Sequence, residues 1–186
     1  MNFHAFVDES EPSSGDSLGA YLLAAAVIAV DHLDTVRTTI EALKLRGQRK
    51  LHWRDENDNR RMLGIKTIAT LPALHLVVIR AAADERSERR RRLCLRRLLC
   101  ELDQAGVAQV VLERRQRRQD QADRQLLSAL RAAKAVSSGL RMAHAAGTGE
   151  PLLWLPDFVA GAAGAARRGG HSYLDQLTGL VQVLEA

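Results

Sequence analysis

Three acidic residues lie where predicted strands or helices begin or end, and their side chains could bind a metal ion together. Asp8 ends the segment "FHAFVD", Glu113 ends "VAQVVLE", and Asp157 lies in the first turn of "PDFVAGAAG". Three carboxylates in contact repel one another, so they would hold protons or a cation. Oxygen ligands suit Mg²⁺ or Mn²⁺ rather than zinc. With two such ions about 4 Å apart, phosphodiester hydrolysis becomes accessible, because one ion activates water and the other stabilises the leaving oxygen.

Each acid also has a structural explanation that requires no metal. An ionised side chain at a buried strand end costs several kcal/mol when it is unpaired. Asp8 and Glu9 could therefore open a solvated turn where the first strand reaches the surface. Glu113 could pair with one of the two arginines that follow it in the sequence. Asp157 could serve the positive N-terminal end of its helix.

The order of predicted elements indicates how these acids could meet. Hydrophobic periodicity and turn residues predict strands at 2–8, 20–30, 74–82, 107–113 and 140–146, and helices at 31–45, 56–70, 85–105, 121–135, 156–168 and 172–185. Asp31 is the expected N-cap of the first helix, and 11–19 is expected to be a loop. A hairpin followed by alternating helices and strands implies an α/β fold with a mixed sheet flanked by helices. This order resembles that of the ribonuclease H fold, with a helical insertion at 31–72.

Two features of this arrangement would bring the acids together at one edge of the sheet. Adjacent strands of the same sense would present Asp8 and Glu113 at the same edge. The helix that carries Asp157 has a stripe of small residues, which would let it lie close against the sheet. The members of the stripe are Ala160, Gly161, Gly164 and Ala165.

The composition is that of a globular chain with a mild positive charge. The 186 residues suffice for one domain with a substantial core, and 46% of them are hydrophobic. No run approaches the roughly 20 apolar residues of a membrane span, and the start "MNFHAFVDES" lacks the layout of a secretion signal. Cys94 and Cys100 fall in one predicted helix and cannot bridge each other there. We therefore expect a cytoplasmic protein with both thiols reduced and buried.

A stripe of arginines on the predicted helix at 85–105 could contact phosphate. Its members are Arg86, Arg89, Arg92 and Arg96, spaced three or four residues apart. Such a run is commonly a solvated helix face, but arginine also grips phosphate with two hydrogen bonds. Aromatic residues make up 4% of the chain and none interleaves with the stripe, so base stacking is poorly supported. The expected partner is the phosphate backbone of a nucleic acid, bound without regard to sequence.

Four short motifs resemble a known bacterial family, the domain of unknown function 3800. They are "FVDES" near the start, "LHW" at 51–53, "VVLER" in the middle and "PDFVAGA" late in the chain. The resemblance implies a ribonuclease H-like fold and nuclease activity, with acidic site roles for Asp8, Glu113 and Asp157. It also implies that Glu9 and His52 are second-line members of the site. The chain departs from the usual "D-E-S-G", because Glu11 follows Ser10 and a glycine comes only at Gly15.

The sequence therefore predicts a divalent-metal-dependent nuclease or phosphodiesterase, with Mg²⁺ or Mn²⁺ as cofactor. Two alternatives remain open at this point. The chain could be a non-catalytic protein that binds nucleic acid or another partner and keeps a ribonuclease H-like fold. It could also be a basic structural subunit whose acids are ordinary ion-pair partners. A cluster of the three acids in space would favour the enzyme.

Overall fold

The centre of the fold is a mixed sheet whose first strands form the predicted hairpin. The computed structural model describes residues 2–10 and 19–186. Within these residues the strands are β1 (Phe3–Ser10), β2 (Ala20–Ala29), β3 (Ala73–Ala81), β4 (Val107–Glu113), β5 (Arg141–Ala145) and β6 (Val181–Glu185). Their order in the sheet is β5-β4-β1-β2-β3-β6. The pairs β1–β2 and β2–β3 are antiparallel, whereas β1–β4, β4–β5 and β3–β6 are parallel.

Helices cover both faces of this sheet, which confirms the predicted fold class. They are α1 (Leu33–Glu41), α2 (Asp58–Ile68), α3 (Ser87–Gln104), α4 (Arg117–Ala132), α5 (Trp154–Arg167) and α6 (Ser172–Asp175). One apolar core lies between the sheet and the helices α1, α2 and α5, and a second lies between the sheet and α3 and α4. We call these two sides of the sheet the α5 face and the α3 face.

The alternation of side chains along β1 assigns its two acids to different faces. Phe6 belongs to the core of the α5 face, and Val7 belongs to the core of the α3 face. Because successive side chains of a strand point to opposite sides, Asp8 shares the α5 face and Glu9 shares the α3 face. β1 also runs two residues beyond its predicted end, to Ser10. Asp8 therefore lies inside the strand rather than in a turn that follows it.

The predicted insertion is present and is helical, with α1 and α2 joined by an irregular segment. Its start differs from the expectation, because Val30–His32 is a 3-10 helix that contains Asp31, and α1 begins only at Leu33. The prediction that Asp31 caps the first helix is therefore wrong. α2 is capped by Asn57, whose side chain accepts a hydrogen bond from the backbone of Arg60.

The predicted C-terminal helix is also wrong over most of its length. A single helical turn at Ser172–Asp175 is followed by Gly179, with φ of +81°, and then by β6. The segment "VQVLE" alternates apolar and polar residues, which suits a strand, and it pairs in parallel with β3 at the edge of the sheet. The open edge of β3 supplies the backbone hydrogen bonds that stabilise this segment as a strand.

The remaining expectations concern the loop, the membrane and the cysteines. Positions 11–18 of the predicted loop lie outside the described residues. In the part of the chain that the structure describes, no helix is long and apolar enough to cross a membrane. Cys94 and Cys100 are both free and both in α3, as predicted, but Cys100 is half-buried rather than buried.

Candidate metal centre

Asp8 and Glu113 lie at the same edge of the sheet, because β1 and β4 run in parallel. Val7 is opposite Leu112 in the register of this pair, so the two acids are the next residues on their strands. Val111 packs with the core of the α5 face, and Glu113 shares its side of the strand. Both carboxylates therefore belong to the α5 face at the carboxyl ends of their strands.

The third acid comes from the first turn of α5, which packs on this face. Asp157 is 8% exposed, as is Asp8. Oδ1 of Asp8 accepts a 2.8 Å hydrogen bond from the backbone N–H of Glu9. Oδ2 of Asp157 accepts a 2.7 Å hydrogen bond from the backbone N–H of Trp53, which belongs to the insertion. The acid of the helix is therefore oriented by a distant part of the chain.

The charges of the neighbouring acids affect the pKa values of both aspartates. Burial raises the pKa of Asp8 well above its usual range, and the charges of Asp157 and Glu113 raise it further. Burial likewise raises the pKa of Asp157, and the charge of Glu113 raises it further. The charges of His52 and Lys50 act in the opposite direction and lower this pKa. Like charges in a buried site favour protonation or the binding of a cation.

Lys50 provides a positive charge within this acidic site. Its Nζ lies 3.0 Å from Oε1 of Glu113, with both side chains about one-quarter exposed, at 27% and 25%. Burial alone would lower the pKa of Lys50, but the hydrogen bond to Glu113 and the charges of all three acids raise it overall. The partner of Glu113 is thus a lysine of the insertion, not one of the arginines that follow it in sequence.

The segment 50–53 of the insertion, which we call the strap, is fastened to α5 by its tryptophan. The indole of Trp53 packs against Gly161, where an added Cβ would lie 2.3 Å from the ring. It also meets Phe158 edge-on, with ring centroids 5.6 Å apart. Nε2 of His52 lies 3.9 Å from Oδ1 of Asp157. The strap therefore brings an ammonium, an imidazole and a backbone N–H to the carboxylates.

A glycine loop makes room for Glu113 on the other side. An added Cβ at Gly147 would lie 2.2 Å from Oε1 of Glu113. The carbonyl of Gly147 accepts a 2.6 Å hydrogen bond from the indole N–H of Trp154, which holds the loop against the start of α5. Nearby, Arg37 of α1 contacts both carboxylate oxygens of Glu150 at 3.1 and 3.2 Å. The insertion and α5 thus hold the site from two sides.

The spacing of the three carboxylates differs from that of a second group of acids. Within the described ranges 2–10 and 19–186, the trio whose ligand atoms all lie within 4.8 Å of one another is Asp120, Asp123 and His144. Among Asp8, Glu113 and Asp157, at least one pair of ligand atoms therefore lies farther apart than that. Their donor set of three carboxylates beside an imidazole is rich in oxygen, which suits Mg²⁺ or Mn²⁺.

The second group of acids is an ion-pair network around a buried arginine on the α3 face. Arg91 is 3% exposed and donates hydrogen bonds to both oxygens of Asp123, at 2.5 and 3.1 Å. It also contacts Glu9 at 2.6 Å. His144 lies 3.2 Å from Asp123, and His144 and Arg91 lower the pKa of this carboxyl despite the effect of burial. Asp123 and Glu9 of this network are therefore already paired with the guanidinium of Arg91.

The predicted second-line members of the site and the predicted nucleic-acid contact lie in different parts of the fold. His52 lies beside Asp157, as described above. Glu9 lies on the α3 face as the partner of Arg91 and is not grouped with the three carboxylates. The arginine stripe belongs to α3 and its N-cap residue, and its side chains are exposed on the α3 face of the fold. The side chain of Arg89 is 71% exposed and also lies 3.4 Å from Glu85. The stripe and the carboxylates therefore lie on opposite sides of the sheet.

Comparison with solved structures identifies the fold. The chain is similar to ribonuclease HII from Archaeoglobus fulgidus, solved in a complex with PCNA, with 13% identity and a TM-score of 0.54 over 95% of this chain and 77% of that one. It is also similar to ribonuclease H2 from Pyrococcus horikoshii OT3, with 12% identity, the same coverage and a TM-score of 0.54. The protein therefore has a ribonuclease H-like fold. Neither a protein-family model nor a curated protein matches the sequence.

Proposed function

We propose that the protein is a divalent-metal-dependent nuclease that acts on a nucleic acid backbone. The observation that carries this proposal is the shared electrostatic site of Asp8, Glu113 and Asp157. These acids come from the C-terminal parts of two adjacent strands and the first turn of a helix, and the pKa values of both aspartates are raised by burial and by their acidic neighbours. Carboxylates in such a site favour a cation, and the oxygen donors suit Mg²⁺ or Mn²⁺.

In this proposal each residue of the site has a defined task. Asp8, Glu113 and Asp157 would hold the metal, which when bound would activate water and stabilise the leaving oxygen of a phosphodiester. The backbone N–H of Trp53 fixes the orientation of Asp157 through its 2.7 Å hydrogen bond. Gly147 leaves the space that Glu113 occupies. His52, whose Nε2 lies 3.9 Å from Oδ1 of Asp157, opposes the rise in the pKa of that carboxyl.

The resemblance to the domain of unknown function 3800 supports this proposal through the same residues. The two similar solved structures are ribonucleases by their names, and their fold is compatible with nuclease chemistry at this edge of the sheet. A fold does not by itself define an activity. The free thiols of Cys94 and Cys100 support a cytoplasmic location.

The test is a cleavage assay with an inactive variant that stays folded. Single- and double-stranded RNA and DNA are incubated with Mg²⁺ or Mn²⁺, with and without excess chelator. We expect metal-dependent cleavage of at least one substrate and its loss in Asp157→Asn, since asparagine keeps an oxygen that can accept the Trp53 N–H but loses the charge. Asp34→Asn is the matched control, because Asp34 has a 99% exposed side chain on α1.

A non-catalytic binding protein is the second candidate, and Lys50 is the observation that favours it. An ammonium that already neutralises Glu113 lowers the need for a metal at this site. If all four substrates remain intact with Mn²⁺ present while the protein still binds one of them, the binding-protein explanation replaces the nuclease.

A further inference from the structure

Lys50 is positioned where a metal ion would have to compete with it. Its Nζ lies 3.0 Å from a carboxylate oxygen of Glu113, and its charge also acts on Asp8 and Asp157. The side chain reaches the site from the strap, whose backbone is fixed three residues later by the packing of Trp53 on Gly161. Lys50 is therefore part of the built site and not a passing surface contact.

Two cations cannot share Glu113 without a cost. A divalent ion bound to this carboxylate would repel an ammonium that stays in place, and the repulsion is strong at short range in a partly buried site. The lysine side chain is flexible, with a compact charge on a four-carbon stem. Its side chain is 27% exposed, so the ammonium can move away from Glu113 without unfolding the site.

We propose that Lys50 changes partners: it holds Glu113 when divalent metal is absent, and it binds a substrate phosphate when metal has taken Glu113. This inference rests on the proposed function, since it concerns the same site. A phosphodiester that meets metal at these carboxylates carries its negative charge next to the displaced ammonium. Lysine binds phosphate as a point charge, so no further residue has to move.

The first measurement is metal affinity, which does not depend on catalysis. Mn²⁺ binding is followed by the loss of the electron paramagnetic resonance signal of free Mn²⁺, in the wild type and in Lys50→Gln. Removing the competing ammonium should tighten Mn²⁺ binding about tenfold, in line with the charge repulsion that it relieves. Lys50→Arg keeps the charge and should bind Mn²⁺ as weakly as the wild type. Lys66→Gln, an exposed charge change on α2, is the matched control.

The second measurement is the salt dependence of nucleic-acid binding, with and without metal. The probes are duplex DNA and duplex RNA, and gel electrophoresis checks that they remain uncut over the time of the titration. With Mn²⁺ present, Lys50→Gln should lose one phosphate contact, which lowers the slope of log K against log salt by about 0.9. In chelator, the slopes of the wild type and Lys50→Gln should be equal, because Glu113 then retains the ammonium.

The outcomes separate this inference from the proposed function. Tighter Mn²⁺ binding by Lys50→Gln together with a slope change that requires metal supports the exchange of partners, even if no substrate is cut. Equal Mn²⁺ affinity in Lys50→Gln and the wild type overturns it, even if cleavage is intact. A slope change of the same size in chelator also overturns it, since the ammonium would then be available to phosphate at all times.

Discussion

The backbone N–H of Trp53 donates a 2.7 Å hydrogen bond to Oδ2 of Asp157, across 104 positions of the sequence. The same tryptophan packs its ring on Gly161, one helical turn beyond Asp157 on α5. A single residue of the insertion therefore fixes both the orientation of an acidic side chain and the distance between strap and helix. This double contact explains why a glycine is needed at a position deep inside a helix, where glycine ordinarily lowers stability.

The first prediction concerns this glycine and a second one in the same helix. Gly161→Ala would place a Cβ 2.3 Å from the indole of Trp53, whereas at Gly164 the nearest atom is the end of Arg168 at 3.6 Å. We expect Gly161→Ala to lower the free energy of unfolding by about 1–3 kcal/mol through overpacking. Gly164→Ala should raise it by about 0.5–1 kcal/mol, since alanine suits a helix better.

Urea denaturation of both variants checks this prediction. The metal response is a second measure, because displacement of the strap should weaken the Mn²⁺-induced rise in Tm for Gly161→Ala alone. Equal stability changes for the two variants would mean that the ring of Trp53 adapts freely and that the strap is not fixed by this contact.

The second prediction concerns Asp8 and pH. Burial and its acidic neighbours raise the pKa of Asp8 in the folded state. Between the ordinary pKa of about 4 and the raised value, the folded protein therefore holds more protons than the unfolded chain, and stability falls as pH rises. The loss amounts to about 1.4 kcal/mol for each unit by which the pKa is raised.

Asp8→Asn should reduce this fall, with the share of Asp157 remaining because burial raises its pKa too, and should be more stable than the wild type at pH 7 in chelator. It should also lose the stabilisation by Mn²⁺. For the wild type, a Mn²⁺ concentration one hundred times the dissociation constant should raise the free energy of unfolding by about 2.7 kcal/mol. Thermal unfolding from pH 4 to pH 8, with chelator or Mn²⁺, tests both parts. An equal response of Asp8→Asn and wild type to Mn²⁺ would show that the ion binds elsewhere.

The third prediction distinguishes the ion-pair network around Arg91 from the metal centre. Asp123→Asn removes the charge that faces a guanidinium whose side chain is 4% exposed. Breaking a buried ion pair in this way should lower the free energy of unfolding by about 3–5 kcal/mol. The Mn²⁺-induced change in Tm should stay as in the wild type, since in our proposal the metal binds at Asp8, Glu113 and Asp157.

Asp34→Asn provides the comparison for Asp123→Asn, because it removes an exposed partner of Arg37 and should change stability by less than about 1 kcal/mol. A loss of the Mn²⁺ response in Asp123→Asn, with the response of Asp34→Asn intact, would move the metal centre to Asp120, Asp123 and His144.

The fourth prediction tests the arginine stripe. Each neutralised duplex phosphate contributes about −0.9 to the slope of log K against log salt, so four contacts contribute roughly −3.6. Replacing the four arginines by glutamine should weaken binding to every sequence and remove about three units of slope. The Mn²⁺ response should remain, since the stripe and the carboxylates lie on opposite sides of the sheet. An unchanged slope would identify the stripe as a solvated helix face.

The elements that the sequence predicts well are those whose pattern is local. The hairpin of β1 and β2, the strand β4 and the helix α5 follow from apolar runs and turn residues, and their ends carry Asp8, Glu113 and Asp157. Parallel pairing of β1 with β4 then places two of these acids at one edge without any further information. The opposite orientation of Glu9 likewise follows from the two-residue period of a strand.

What the sequence does not predict depends on contacts between distant segments. Lys50 contacts Glu113 across 63 positions of the sequence. It belongs to an irregular segment, and no hydrophobic periodicity there predicts which side chain would reach Glu113. The motif "LHW" draws attention to this region, but it does not show that the backbone N–H of Trp53 would be a donor to Asp157. The sequence does not predict the strand β6, because its five residues gain their stability from the open edge of β3, which is a property of the assembled sheet.

The separation of Trp53 from Asp157 in the chain also has a consequence for the kinetics of folding. The hydrogen bond between them, and the meeting of α5 with β1, close long loops, and contacts of this kind form slowly and late. We therefore expect the repulsion among the carboxylates to develop mainly after the transition state for folding has been crossed. A ligand that relieves this repulsion acts on interactions that are absent from that transition state, and it should slow unfolding while it leaves the folding rate almost unchanged.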